Sequence, residues 1–178
     1  ANLMTDDLPD GLDSFLSAGS PPIYMTFGSM LINNQDYLSE VAEIWEQEVR
    51  RAGCRAILQL PWGDFPSLSA NPDVFLVRRC PYKKVFPRCS MVIHRGGAGT
   101  TQSTLLAGRP SIIVAHVSDQ FFWGSELEQL GVGGKTLRRK GLTSRQLSNG
   151  IRRVLGRPEM QERAKSLGKM MSVEGGVA

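Results

Sequence analysis

The chain has 178 residues, a mass of 19.6 kDa and a formal net charge of +4, with 41% hydrophobic and 21% charged residues. That balance excludes a disordered, collagen-like or coiled-coil chain, and the length suits one domain with a sizeable core. A pI near 9.2 fits a polyanionic ligand but falls short of the concentrated basic signature of a nucleic-acid binder.

The first 22 residues are polar and rich in Pro, Gly and Ser around a short apolar pair, Phe15 and Leu16, and read as a linker or lead-in over residues 1–20 without a core element. The domain proper is expected from residue 21 to 178. Residues 23–27 are β-rich and end at Gly28-Ser29, which predicts a buried strand closed by a glycine turn. Leu38, Val41, Ile44, Trp45 and Val49 recur at helical spacing, so residues 37–51 form an amphipathic helix that stops before Gly53. Short strands follow at 55–60 and 74–77, then one or two helical turns at 83–88. A strand at 91–94 runs into a glycine-rich turn, a helix spans 100–107, and a β-branched strand spans 111–115. Helices are expected at 120–130, 143–155 and from Pro158 to about 174, with a last strand at 132–136. Strands thus alternate with helices, about six of each, and the strands read as apolar runs. This is the pattern of a doubly wound, Rossmann-like parallel sheet covered on both faces.

Ligands of such sheets bind beyond the carboxyl ends of the strands, where the strand order reverses. With the order 3-2-1-4-5-6 the reversal lies between the first and fourth strands. The turn after the fourth strand is His94-Arg95-Gly96-Gly97-Ala98-Gly99-Thr100-Thr101, and it opens a helix. Free N–H groups and the positive end of that helix form an anion site suited to phosphates, and glycines let a phosphate approach the backbone. His94 sits at this mouth. A neutral imidazole can donate one N–H to phosphate and a protonated one adds charge, so affinity is expected to change near pH ~6.5. Asp119 and Gln120 follow the next strand and suit hydroxyl recognition on a sugar.

Other chemistries lack their signatures. There is no GxxxxGK[ST] loop and no GxSxG elbow. Gly97-Ala98-Gly99 continues as GxGxxQ after the fourth strand, without the third glycine of a dinucleotide fingerprint. Two histidines and the scattered Cys54, Cys80 and Cys89 give no metal-ligand spacing and no CxxC, which favours a reducing, cytoplasmic setting. No apolar run approaches the ~20 residues of a membrane span. Phe121, Phe122, Trp123 and Met170-Met171 read as packing faces; Arg78-Arg79, Lys83-Lys84 and Arg138-Arg139-Lys140 read as solvated charge.

Four blocks in order carry a resemblance: Tyr24 to Met30, Phe86 to Thr101, Leu106 to Val114, and Asp119 to Gly124. Together they resemble the nucleotide-sugar glycosyltransferases of the UDP-glycosyltransferase type, in the branch of microbial sterol and lipid glucosyltransferases and antibiotic glycosyltransferases. The resemblance implies the C-terminal, donor-binding half of a two-domain GT-B fold. It implies that Ser29, His94, Gly96, Gly97, Gly99 and Thr100 hold the diphosphate, that Asp119 and Gln120 hold the sugar, and that Arg79, Cys80 and Tyr82 lie at the base. It implies a UDP- or TDP-linked sugar as substrate, no cofactor and no metal. The reaction implied is inverting transfer of a hexose to a hydroxyl of a sterol, lipid or aglycone. The catalytic base is expected in an N-terminal acceptor half, in the same parent chain or in a partner subunit, through which the enzyme could associate with a membrane. The chain is accordingly expected to begin in the interdomain linker, to stop within the last helix and to be inactive in isolation. Relatives of this type often carry a second His where Arg95 stands, a Pro where Ala115 stands, and Pro-His-Asp-Trp-Leu-Phe where this chain has Pro81 to Phe86. The rival readings are a naturally separate donor-binding subunit and, remotely, a basic nucleic-acid module.

Overall fold

The computed structural model describes residues 7–26, 35–60 and 66–173. Six strands form one parallel sheet in the order β3-β2-β1-β4-β5-β6. They are β1 Ile23–Thr26, β2 Ala56–Gln59, β3 Val74–Val77, β4 Met91–His94, β5 Ser111–Ala115 and β6 Leu137–Arg138. The helices are α1 Leu12–Ser17, α2 Gln35–Ala52, α3 Pro66–Ser69, α4 Tyr82–Val85, α5 Ala98–Leu106, α6 Ser118–Gln129, α7 Ser144–Leu155 and α8 Pro158–Val173, with a 3-10 turn over Phe86–Arg88. The doubly wound expectation therefore holds, with its reversal between β1 and β4, whose ends pair as Thr26 with His94.

Alternate strand residues face opposite sides of the sheet and are buried on both, which is why the strands are apolar throughout. Ile23, Met25, Leu58, Met91, Ile93 and Ile112 pack towards Trp45 of α2 and towards Leu147, Ile151 and Val154 of α7. Tyr24, Ile57 and Val92 face the other way, onto Val85, Phe86 and Cys89. A third cluster joins Ile113 and Ala115 to Leu127 of α6 and Ala164 of α8. Helix α7 starts on a reciprocal cap: Gln146 N–H donates to Thr143 Oγ1, and Thr143 N–H donates to Gln146 Oε1.

Three expectations need correction. The segment read as a lead-in without a core element contains α1, and its Leu12 and Leu16 are buried with Tyr24, Ile57 and Phe86. Two arginines anchor it: Arg88 pairs with Asp13 at 2.6 Å, and Arg55 lies over the Phe15 ring. The last strand is Leu137–Arg138 rather than 132–136, where Ser111 makes only a bridge to Gly133. Three glycines in four positions (Gly131, Gly133, Gly134) favour a turn over a strand there. Third, Phe122 and Met170 are each 60% exposed and are not core residues, whereas Phe121 and Trp123 are half-buried. The Phe27 end of the first predicted strand, the Gly28-Ser29 turn and Glu174 lie outside the described residues. No helix among the described residues is long and apolar enough to cross a membrane.

Candidate functional site

The expected site residues that are described lie at or after the carboxyl ends of β3, β4 and β5, which share one sheet edge with those of β1 and β2. Their polar character begins where the apolar runs stop, at Thr26, Gln59 and His94. Thr26 and His94 are buried, and Gln59 is half-buried.

His94 is 2% exposed. Its Nδ1 accepts the Gly96 N–H at 3.1 Å, which leaves the proton on Nε2, 3.4 Å from Ser111 Oγ on β5. Burial pushes its pKa down to about 4. The imidazole is therefore neutral near pH 7, and the expected change of affinity near pH 6.5 has no titrating group in His94. The correction has a simple cause: a strand-end residue on an inward face sits under the turn it begins.

The glycines of this turn divide into two kinds. Gly96 has φ +93°, and a Cβ there would meet Ile113 Cγ2 and Gln120 Cβ at 3.1 Å. Backbone conformation and packing both require glycine at that point. Gly97 has φ −67° and ψ 138°, ordinary values for any residue, and a Cβ would meet only the Arg95 guanidinium at 3.8 Å. Gly99 has nothing within 4 Å of such an atom. Neither strain nor packing calls for glycine at these two positions; the open space in front of them is what the missing side chains leave.

That space faces the start of α5. Gly97 is its N-cap and offers no side-chain cap, so the first-turn N–H groups of Ala98, Gly99 and Thr100 lack intrahelical partners. The hydroxyls of Thr101, Ser103 and Thr104 bond back to the carbonyls of Gly97, Gly99 and Thr100, so they do not compete for the helix start.

Gln120 is 4% exposed, and its Oε1 accepts the His116 N–H at 2.7 Å and the Val117 N–H at 3.3 Å. The residue expected to hold sugar thus spends its carbonyl on the start of α6. Asp119, beside it, is exposed in the first turn. Its carboxylate acts on Arg95, whose guanidinium burial pushes below its ordinary value. Burial, then the charges of Arg139 and Arg95, push His116 down to about 4.

On the base side, Arg79 is exposed, and burial raises the half-buried Cys80 thiol to about 11. The Tyr82 ring stacks on Phe86 with centroids 4.3 Å apart. Its hydroxyl donates to Gln59 Oε1 at 2.8 Å, an oxygen that also accepts from Thr26 and Tyr24. Burial raises the Tyr82 pKa, and Thr26, Gln59 and Thr100 of α5 act against that rise. The sequence reading did not single out Gln59; a polar residue closing the apolar run Ala56, Ile57, Leu58 is the signal that could have found it. Ser29 lies outside the described residues. Cys54, Cys80 and Cys89 are all free thiols.

Residues 46–175 match the family described as Erythromycin biosynthesis protein CIII-like, C-terminal domain. A sterol 3-beta-glucosyltransferase of Arabidopsis thaliana is 37% identical over 166 residues, covering 92% of this chain and 26% of the plant protein. A UDP-sugar-dependent glycosyltransferase of Dictyostelium discoideum is 30% identical over 204 residues, covering 97% of this chain and 12% of its own length. Among solved structures, the glycosyltransferase SnogD from Streptomyces nogalater superposes with a TM-score of 0.73 at 27% identity, over 93% of this chain and 42% of that one. The spinosyn forosaminyltransferase shares the fold at 20% identity, with a TM-score of 0.73, over 94% of this chain and 43% of that one. The chain spans about a quarter of the length of the plant relative.

Proposed function

The chain belongs to the family of erythromycin biosynthesis protein CIII-like C-terminal domains, and from that premise we propose that it binds the nucleotide-sugar donor of a glycosyltransferase. The donor is UDP-glucose-like, and the parent reaction transfers a hexose with inversion to a hydroxyl of a sterol, lipid or natural-product aglycone. One observation carries this reading: the space in front of Gly97 and Gly99, at an uncapped helix start where the strand order reverses. In this reading a diphosphate occupies that space, and the N–H groups of α5 meet its charge. As the anomeric bond breaks, negative charge grows on the departing diphosphate. Donors already aimed at it stabilise that charge without reorganising.

In this reading the diphosphate contacts run from Gly97 to Thr100, with Ser29 as a further expected ligand. Gly96 and His94 act behind them by fixing the turn. Asp119 meets sugar hydroxyls, and the capped Gln120 presents the start of α6. The base lies along Arg79, Cys80 and the stacked Tyr82.

Titration calorimetry with UDP and with uridine tests this. UDP is expected to bind at least tenfold more tightly than uridine. Gly97→Val adds bulk where only the Arg95 tip stands, so the protein should fold while UDP binding falls tenfold or more and uridine binding is kept. Equal affinity for UDP and uridine in the unsubstituted chain would overturn the reading.

A further inference from the structure

We propose that Arg95 is a specificity-determining residue of the donor crevice, a guanidinium that takes the sugar-side phosphate of the nucleoside diphosphate. The inference rests on the donor-binding reading and adds a ligand that the glycine turn does not supply.

Nε and Nη1 of Arg95 are buried and have no hydrogen-bond partner. A guanidinium keeps its charge under nearly all conditions, so desolvating its N–H donors without partners is costly. Buried donors left in that state call for an explanation. An atom built at the Cβ position of Gly97 lies 3.8 Å from Nε and 3.9 Å from Nη2. The guanidinium therefore borders the open space at the N-cap of α5. The Asp119 carboxylate at the start of α6 also acts on it, and the guanidinium's own charge, after burial and Arg139, helps hold His116 neutral. Arg95 thus borders the phosphate turn within reach of the charge of Asp119, which is where the second phosphate of a nucleoside diphosphate is proposed to lie. Its planar fork of donors matches two phosphate oxygens at once, which an imidazole at that position does not.

The test is calorimetry with UDP, UMP, uridine and UDP-glucuronate on the 178-residue chain and on Arg95→Gln, Arg95→Lys and Arg95→His, with thermal melts confirming the fold. Arg95→Gln is expected to weaken UDP at least tenfold while changing UMP and uridine by less than threefold. Arg95→Lys, which keeps the charge and loses the fork, should fall between. Should Arg95→Gln fail to fold, Arg95→Lys and Arg95→His carry the same comparison. Unchanged UDP affinity in a folded variant overturns the proposal, and so does an equal loss for all ligands. A loss confined to UDP-glucuronate would assign the anion to an acidic sugar and overturn it too. If the unsubstituted chain does not prefer UDP to uridine, the donor-binding reading itself has failed, a result distinct from any of these.

Discussion

At the scale of single residues, His94 shows how burial changes a role inferred from position. Facing inwards, its imidazole holds the Gly96 N–H and approaches Ser111. Its pKa in the folded chain is about 4, below the unfolded value of ~6.5. The sign follows from linkage: the unfolded chain takes up the proton first, so the stability from a neutral His94 is whole above pH ~6.5 and is lost as pH falls towards 4. At its steepest this amounts to about 1.4 kcal/mol per pH unit for one group. Urea unfolding between pH 7.5 and 4.5 should show such a decline. His94→Gln should remove one histidine's share and leave that of His116, which is also held near 4. A decline identical in His94→Gln would mean that the ring titrates normally when folded. UDP affinity, by contrast, should show no inflection near pH 6.5 that depends on His94.

At the scale of elements, α1 is the informative case. Its six residues are too few to form a helix on propensity alone, and its neighbours are breakers. Leu12 and Leu16 lie four apart, so one face buries both against Tyr24, Ile57 and Phe86. Leu12→Ala should therefore cost about 2–5 kcal/mol in chemical denaturation, as a core truncation does; a loss under about 0.5 kcal/mol, typical of surface positions, would show α1 to be a loose lead-in. The same contrast explains what could be read in advance. Strands β3, β4 and β5 match their predicted bounds because β-branched and apolar runs end sharply at turn residues. Helix α1, the four-residue α3 and the two-residue β6 owe their existence to tertiary contacts that no local pattern encodes. At the site, the glycine turn was legible because its spacing is local. That Gly96 is packed while Gly97 and Gly99 face space, that Gln120 caps its own helix, and that Arg95 Nε and Nη1 lack hydrogen-bond partners all depend on how the chain packs around the turn.

For the molecule as a whole, the inverting transfer proposed above sets what these residues can be expected to do by themselves. The acceptor oxygen must attack the anomeric carbon from the side opposite the departing diphosphate, with a base positioned to take its proton. In the proposed donor-binding reading, the groups at the α5 start hold the leaving group and so lie on the other side of that carbon. His94 is no alternative base, since its Nδ1 already accepts from Gly96. Donor binding and transfer should then separate: the 178 residues alone are expected to bind UDP and to leave a sterol unglucosylated when given UDP-glucose. Calorimetry reads the first, and chromatography of a sterol incubated with UDP-glucose and the chain reads the second. Because the crevice borrows all its described ligands from one sheet edge, its affinity for UDP should not depend on added acceptor. Steroidal glucoside formed by these residues alone would place a general base within them and overturn the separation.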